Sequence, residues 1–353
     1  MKPYPNRIAR FFLLLSIVIG LVACKPNPQD DIALFQPFIT EHINKRSDDP
    51  YISSTVKPGD KMYEILVNIQ HGRHDIAANQ LQAMIEDNDS DAMVWYAKLI
   101  YRSSINNIPK ALSLYQKAMD DGNPYAYIML SPGLISSGCV RYFGEKNCTL
   151  EHFNKAIELF KPLAAQGDLR AQYFLLKQQE LDQSKETRAQ YIQEVIRFSQ
   201  AHYYQPLMDY VNTILIYSPS KNKSESKTVE QYQLAIDLLT IAANNNYIPA
   251  INKLSFLLED AAQEESERLI NMALKLGSTS TVKYKYHRSN EGSEDEYFYN
   301  ALYRGLSGKY AFDVHTLNEE EKAKVNEKVK LFMKDITPMV YIDGFTSRND
   351  WVD

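Results

Sequence analysis

The sequence predicts an all-α fold that is built from stacked pairs of antiparallel helices. The first observation is a phrase from Lys110 to Ala126, in which apolar residues recur at helical spacing before Gly122. The second is the return of this phrase along the chain, at intervals of 34, 45 and 79 residues. Self-similarity of this kind is typical of helical repeat proteins, and the low content of glycine, 13 residues, argues against sheets.

Four copies of the phrase share one frame: an alanine, ten residues, a glycine or asparagine, three residues and a second alanine. The copies are Ala77, Asn88 and Ala92; Ala111, Gly122 and Ala126; Ala156, Gly167 and Ala171; and Ala235, Asn246 and Ala250. Glycine and asparagine tolerate the left-handed backbone that ends a helix, and alanine lets the next helix lie close. A degenerate copy has Ile192, Tyr203 and Leu207 in these positions, and a partial copy ends at Gly277.

The recurring pattern Lys-Ala-x-x-x-Phe/Tyr, followed by Gly-Asn/Asp-x-x-Ala, resembles the Sel1-like relatives of tetratricopeptide repeats. The copies around Ala111 and Ala156 match best, whereas the family's glycine pair in the hairpin loop is mostly missing. The resemblance implies a right-handed α-solenoid of antiparallel helix pairs over residues 59–282. It also implies that the protein holds another protein and performs no chemistry.

Residues 1–23 are predicted to be a lipoprotein signal peptide. Basic residues precede an apolar run over 11–23, which is too short for an ordinary membrane-spanning helix. The tetrapeptide that ends at Cys24 resembles the bacterial lipobox, which implies cleavage before Cys24 and its acylation, for example with palmitate. The alternative is a signal peptide that happens to end near a cysteine. Lys25 after the cysteine resembles enteric lipoproteins of the outer membrane, so we expect anchorage there, facing the periplasm.

Residues 24–58 are predicted to be a tether and an N-terminal segment with one short helix over 32–43. Loss of residues 1–23 removes three basic and no acidic residues, which moves the net charge from -5 to -8. That acidic balance argues against a general nucleic-acid binder, because such proteins present a basic surface.

The first clear helices of the repeat region are predicted over 60–70, 75–86 and 90–102. By analogy with related solenoids, the first helix of each pair lines the concave side, where partners dock. This analogy makes six residues candidates for partner binding: Lys98, Tyr101, Arg102, Tyr127, Tyr173 and Lys177. The alternative for each of them is an ordinary solvated helix face.

An insertion before residue 147 accounts for the period of 45 residues and contains Cys139, with Cys148 just after it. In an oxidising periplasm these two cysteines are expected to form a disulfide, which should contribute ~2.5 kcal/mol on the chain-entropy model. Free thiols and metal ligation are the alternatives, although only His152 lies close enough in sequence to join a metal site.

Residues 283–353 leave the repeat pattern and are predicted to form a C-terminal capping region. Helices are expected over 296–306 and from a capping box at Thr316 to about Lys334. The last fifteen residues, which include Tyr341, Phe345 and Trp351, show no pattern that gives them a position.

No motif for phosphate binding, nucleophilic catalysis or zinc hydrolysis is found, so no catalytic residue, metal or cofactor is predicted. The pair His71 and His74 lies at a predicted helix end, where histidine suits the helix dipole. We expect a non-enzymatic envelope lipoprotein that binds another protein. A narrower hypothesis is an immunity protein that neutralises a secreted antibacterial toxin, such as a lipase. A cell-wall enzyme is the remaining alternative.

Overall fold

The computed structural model describes residues 27–132, 138–215, 228–309 and 317–352. Over these ranges the chain forms seventeen α-helices and no β-strand, which confirms the all-α prediction. The helices are α1 Pro28–His42, α2 Tyr63–Gln70, α3 His74–Glu86, α4 Ser90–Ile100, α5 Ile108–Asp120, α6 Pro124–Met129, α7 Cys139–Phe143, α8 Leu150–Ala165, α9 Leu169–Lys177, α10 Lys185–Gln200, α11 Gln205–Leu215, α12 Val229–Asn244, α13 Ile248–Leu258, α14 Gln263–Lys275, α15 Thr279–Arg288, α16 Glu294–Ser307 and α17 Glu319–Lys334. The proposed signal peptide and Cys24 lie outside the described residues.

The repeating frame corresponds to one recurring turn between a long helix and the helix that follows it. All five predicted stop residues have left-handed backbone: Asn88, Gly122, Gly167, Asn246 and Gly277. In each turn the next N–H bonds back to the carbonyl five residues earlier, as Asn123 does to Ala118 at 2.9 Å. The eight alanines of the frame are all completely buried, so each pair of helices packs through small side chains.

The degenerate copy of the frame, at Ile192, Tyr203 and Leu207, also has a left-handed residue at its turn, but one position earlier than predicted. Tyr203 was predicted to occupy the left-handed position, but His202 takes it with φ of 58°. The left-handed region is easier for histidine than for a bulky aromatic residue, and Tyr203 instead donates its N–H to Phe198 at 3.0 Å. Ile192 and Leu207 are both fully buried, in keeping with their places in the frame.

Replacing Gly122 with alanine is expected to lower the free energy of unfolding by about 1 kcal/mol. Gly122 has φ of 76°, and a Cβ there would meet no atom within 4 Å. The cost is therefore backbone strain alone, measurable by urea unfolding. The matched control is Asn88→Gly, which relaxes the equivalent position and should cause no loss. Equal stability of Gly122→Ala and the unaltered chain would contradict this account.

Consecutive helices pack against each other along most of the array, for example α2 with α3, α4 with α5, α6 with α8 and α15 with α16. Helices α9 and α10 meet through the rings of Tyr173 and Phe198, whose centres are 5.6 Å apart. The two ends of the array also meet. A Cβ at Gly277 would lie 3.2 Å from Nε2 of His71, and one at Gly308 would lie 3.4 Å from Nε of Arg73. The turn between α2 and α3, at the start of the array, therefore lies against the turns that follow α14 and α16, near its end.

Helix α1 does not extend the array but packs across α10 and α12. Its Asp31 is only 1% exposed. The Arg188 guanidinium donates to both oxygens of Asp31, at 3.1 Å from Nε and 2.7 Å from Nη2. The Tyr210 hydroxyl donates to the same carboxylate at 2.9 Å. This buried network fixes the N-terminal helix to the fourth and fifth pairs.

Residues 337–352, which we call the C-terminal segment, are extended at first and then form a turn at 344–345 and a 3₁₀ turn, Arg348–Asp350. The segment follows α17 and crosses the C-terminal ends of α14 and α2. Thr337 donates its N–H to Lys275 at 2.9 Å, and Gln70 uses its side-chain amide to bind both Met339 and Tyr341. Five residues of the segment are 5% exposed or less: Met339, Val340, Ile342, Asp343 and Trp351.

Candidate functional site

A groove of about 970 Å³ runs between the C-terminal segment and the first helices of three successive pairs, α9, α11 and α13. Its walls are rich in aromatic rings, which come from Tyr173, Phe174, Tyr203, Tyr232, Tyr247, Phe256, Tyr341 and Phe345. Charged side chains of both signs lie among them: Lys177, Lys253, Asp209, Asp343 and Asp350. We call this cavity the docking groove.

Exposed apolar surface marks one side of the docking groove. Phe256 of α13 is 72% exposed, and Tyr232 of α12 is 36% exposed. A large exposed apolar side chain in a concave surface is typical of a protein contact site, because burial by a partner removes it from water. Neither residue was among the sequence candidates, since the repeat frame identifies buried positions and carries no signal for exposed ones.

Two of the predicted binding residues line the docking groove. Tyr173 is buried, and its hydroxyl donates to Asp209 at 2.6 Å. Burial, together with the Asp209 charge, raises the pKa of Tyr173 well above its usual range, so the hydroxyl stays protonated. Lys177 is exposed, and its ammonium lies 4.7 Å from the centre of the Tyr173 ring. These two residues and Asp209 form a polar edge beside the aromatic wall.

Lys98 lies on the same inner surface, but the chain itself covers it. Its side chain is buried and its ammonium donates to the carbonyls of Gly344 at 2.9 Å and Thr346 at 3.2 Å. The rings of Trp95 and Trp351 lie 4.7 and 5.5 Å from the ammonium. Burial lowers the pKa of Lys98 to about 8. The sequence identified Lys98 as a candidate for partner binding but contains no local signal for the segment that covers it.

The other three candidates lie away from the docking groove. Arg102 donates to Asn349 at 3.2 Å, and Tyr101 packs edge-on against Tyr142, with ring centres 5.1 Å apart. Tyr127 is half-buried and packs against His152. Partner binding by these residues stays a prediction. Tyr101 and Arg102 line a second, smaller cavity, and Tyr127 does not.

The C-terminal segment is held in place by a turn around Asp343. One oxygen of this carboxylate accepts the N–H groups of Phe345 at 2.9 Å and Thr346 at 3.0 Å, and the Tyr203 hydroxyl donates to the other at 3.2 Å. The turn presents Phe345 to Phe174, whose ring is parallel at 5.2 Å. The segment thereby forms one wall of the docking groove.

The two predicted disulfide cysteines lie at bonding distance. The Cα atoms of Cys139 and Cys148 are 6.0 Å apart, which fits the disulfide that the sequence predicts. Both cysteines are buried. Between them lie helix α7 and a short 3₁₀ turn, Glu145–Asn147, so the bridge closes a compact loop. This loop packs against α5 and borders the second cavity.

Among the described residues, no group of three histidine, cysteine, aspartate or glutamate side chains is arranged to hold a metal ion. His71 caps the end of α2, as its predicted position at a helix end requires. His74 packs edge-on against Trp351, and burial lowers the pKa of its imidazole. Within the described ranges, none of the helices has the length and apolar content needed to cross a membrane.

No protein-family model, no curated protein and no solved structure matches the chain.

Proposed function

We propose that this protein is a non-enzymatic lipoprotein of a Gram-negative cell envelope, and that its docking groove binds an extended segment of another protein. In this proposal the acylated Cys24 anchors the chain in the outer membrane, and the helices face the periplasm. The oxidising periplasm suits the bridge between Cys139 and Cys148. The observation that carries the proposal is the docking groove, with exposed aromatic side chains along one wall.

We also propose that the helix pairs form a right-handed solenoid of the Sel1-like type. Three features support it: the shared frame of small residues, the recurrent left-handed turn, and the packing of each helix on the next. In such an array the first helices of the pairs line the inner surface. Helices α9, α11 and α13, which border the docking groove, are all first helices.

The C-terminal segment indicates what kind of ligand the inner surface accepts. Its extended part is bound by the side-chain amide of Gln70, which contacts the backbone of Met339 and Tyr341. The turn that follows is bound by the Lys98 ammonium, and both side chains come from first helices of their pairs. The adjoining docking groove offers the same kinds of groups in Gln205, Asn212 and Lys177, next to aromatic rings. An extended partner with apolar side chains could use both sets of contacts.

Replacing Phe256 with glutamate is expected to weaken partner binding by about thirtyfold, the effect of losing one central aromatic contact of about 2 kcal/mol. The 72% exposure of Phe256 means that the fold should be unaffected. The measurement is recovery of a partner from detergent-solubilised envelopes with tagged protein, followed by titration of that partner against the purified variants.

The matched control is Ile105→Glu, which changes an equally apolar side chain, 79% exposed, at a site outside the docking groove. Binding should survive this change. The proposal is wrong if the unaltered chain retrieves no specific protein, or if Phe256→Glu and Ile105→Glu bind the partner equally well.

A further inference from the structure

A second cavity, of about 200 Å³, is surrounded by four cationic side chains from three separate parts of the chain. Lys98 and Arg102 come from α4 and its end, Arg141 comes from the disulfide loop, and Arg348 comes from the C-terminal segment. Apart from Met129 and Gly138, the remaining lining is polar or aromatic, and it includes the hydroxyl-bearing residues Tyr101, Tyr142, Thr346 and Ser347. We call this cavity the arginine pocket.

No carboxylate lines the arginine pocket, and none of the described acidic residues approaches its four cations within the 4.0 Å of a salt bridge. This is unusual in a chain whose net charge is -5. The crowding of positive charge affects Arg348: burial lowers the pKa of its guanidinium, and the nearby Arg102 charge lowers it further. Lys98 is buried and Arg348 is half-buried, whereas Arg102 and Arg141 are exposed at the rim. The Asp343 charge acts on Lys98 from outside the pocket, so a bound anion would add a counter-charge for the other cations.

The cations are held in position by bonds that leave donors unused. Arg348 donates through Nη1 to the carbonyls of Lys98 at 3.0 Å and Leu99 at 2.6 Å. Arg102 donates through its own Nη1 to Asn349 at 3.2 Å. Because a guanidinium has five N–H donors, each of these side chains keeps others for a ligand. Arg141 is exposed, and its guanidinium lies 5.6 Å from the centre of the Tyr142 ring.

We propose that the arginine pocket binds a phosphate group, carried either by a small soluble molecule or by a phospholipid headgroup. A phosphate presents several oxygens to planar guanidinium groups, which bind it in a bidentate manner. A carboxylate has two oxygens and pairs with a single guanidinium group. A phosphate can bind several, and three arginines and one lysine line this pocket. The hydroxyl groups around the pocket add neutral donors for the remaining phosphate oxygens.

This site is independent of the proposed protein-binding function. Acidic and basic residues both line the docking groove, whereas every charged residue that lines the arginine pocket is basic. The two share Thr346, Ser347 and Asn349 of the C-terminal segment. A phosphate in the arginine pocket would join α4, the disulfide loop and this segment through charge-assisted hydrogen bonds.

Phosphate binding is tested by isothermal titration of the full-length protein, purified from envelopes in an alkyl maltoside, with sodium phosphate at constant ionic strength. We expect saturable binding. Arg141→Gln should weaken it at least tenfold, and Arg102→Gln should do the same. The matched control is Lys146→Gln, which removes one exposed positive charge from the same disulfide loop but lies outside the pocket. Thermal unfolding without phosphate checks that each variant is folded.

Two further titrations identify the source of the phosphate. One uses glycerol 3-phosphate, and the other uses dihexanoyl phosphatidylglycerol below its micellar concentration. Tighter binding of the first assigns a soluble phosphate monoester, and tighter binding of the second assigns a lipid headgroup. The proposal is overturned if none of the three compounds binds saturably, or if Arg141→Gln and Lys146→Gln weaken binding to the same extent.

Discussion

Replacing Trp351 with alanine is expected to lower the free energy of unfolding by about 4 kcal/mol, within the range for deletion of a buried tryptophan. Trp351 is completely buried, whereas the other tryptophan, Trp95, is 6% exposed. Its ring centre lies 5.6 Å from that of Trp95 and 6.1 Å from that of His74, and its carbonyl accepts the Tyr341 hydroxyl at 3.1 Å. Guanidinium chloride unfolding, followed by far-UV circular dichroism, measures the loss.

The surface substitution Leu331→Ala serves as the control for this measurement. Leu331 is 55% exposed on α17, so its truncation should cost less than about 0.5 kcal/mol. Trp351→Phe should fall between the two, because it retains an aromatic ring in the same position. If Trp351→Ala unfolds at the same denaturant concentration as Leu331→Ala, the C-terminal segment is not part of the folded core.

Replacing Asp31 with alanine is expected to cost about 3–5 kcal/mol, because it leaves the Arg188 guanidinium in a buried site without its anion. The side chain of Arg188 is 13% exposed, and that of Asp31 is 1% exposed. The Tyr210 hydroxyl loses its acceptor in the same substitution. The change should release α1 from α10 and α12, so proteolysis within residues 28–42 should become faster along with the loss of stability.

The double substitution Asp31→Leu with Arg188→Met tests the cause of that loss. It removes both charges and fills the space with apolar atoms, so it should recover most of the stability that Asp31→Ala loses. Glu41→Ala is the control on the same helix, since exposed Glu41 pairs only with its neighbours Lys45 at 2.8 Å and His42 at 3.8 Å, and its loss should have no measurable effect. A single Asp31→Ala variant as stable as Glu41→Ala would show that α1 is not anchored by this network.

The parts of the fold that follow from local rules could be predicted from the sequence. The left-handed turns at Gly122 and Asn246 are set by backbone sterics, and the buried alanines are set by the distance between adjacent helices. Both signals lie within about fifteen residues of each other, so periodicity finds them. The displacement from Tyr203 to His202 shows the limit, because the frame fixes the turn only to within one residue.

The parts that depend on distant segments could not be predicted in this way. Arg188 contacts an acidic residue 157 positions away, and Lys98 contacts a carbonyl 246 positions away. No period relates such residues, and nothing in the local sequence of 337–352 favours a helix or a strand. Of the residues that the analogy with solenoids identified, Tyr173 and Lys177 line the docking groove, whereas Lys98 is covered by the chain itself; partner binding by all of them stays a prediction.

The position of Trp351 has a consequence for how the chain folds. The tryptophan follows α17 in the sequence, yet it packs against Trp95 of α4. Until this distant residue is in place, the aromatic interior beside α4 is exposed to water and to proteases. Folding around α4 is therefore coupled to a contact of large sequence separation, which should make it slower than folding of an array with local contacts alone.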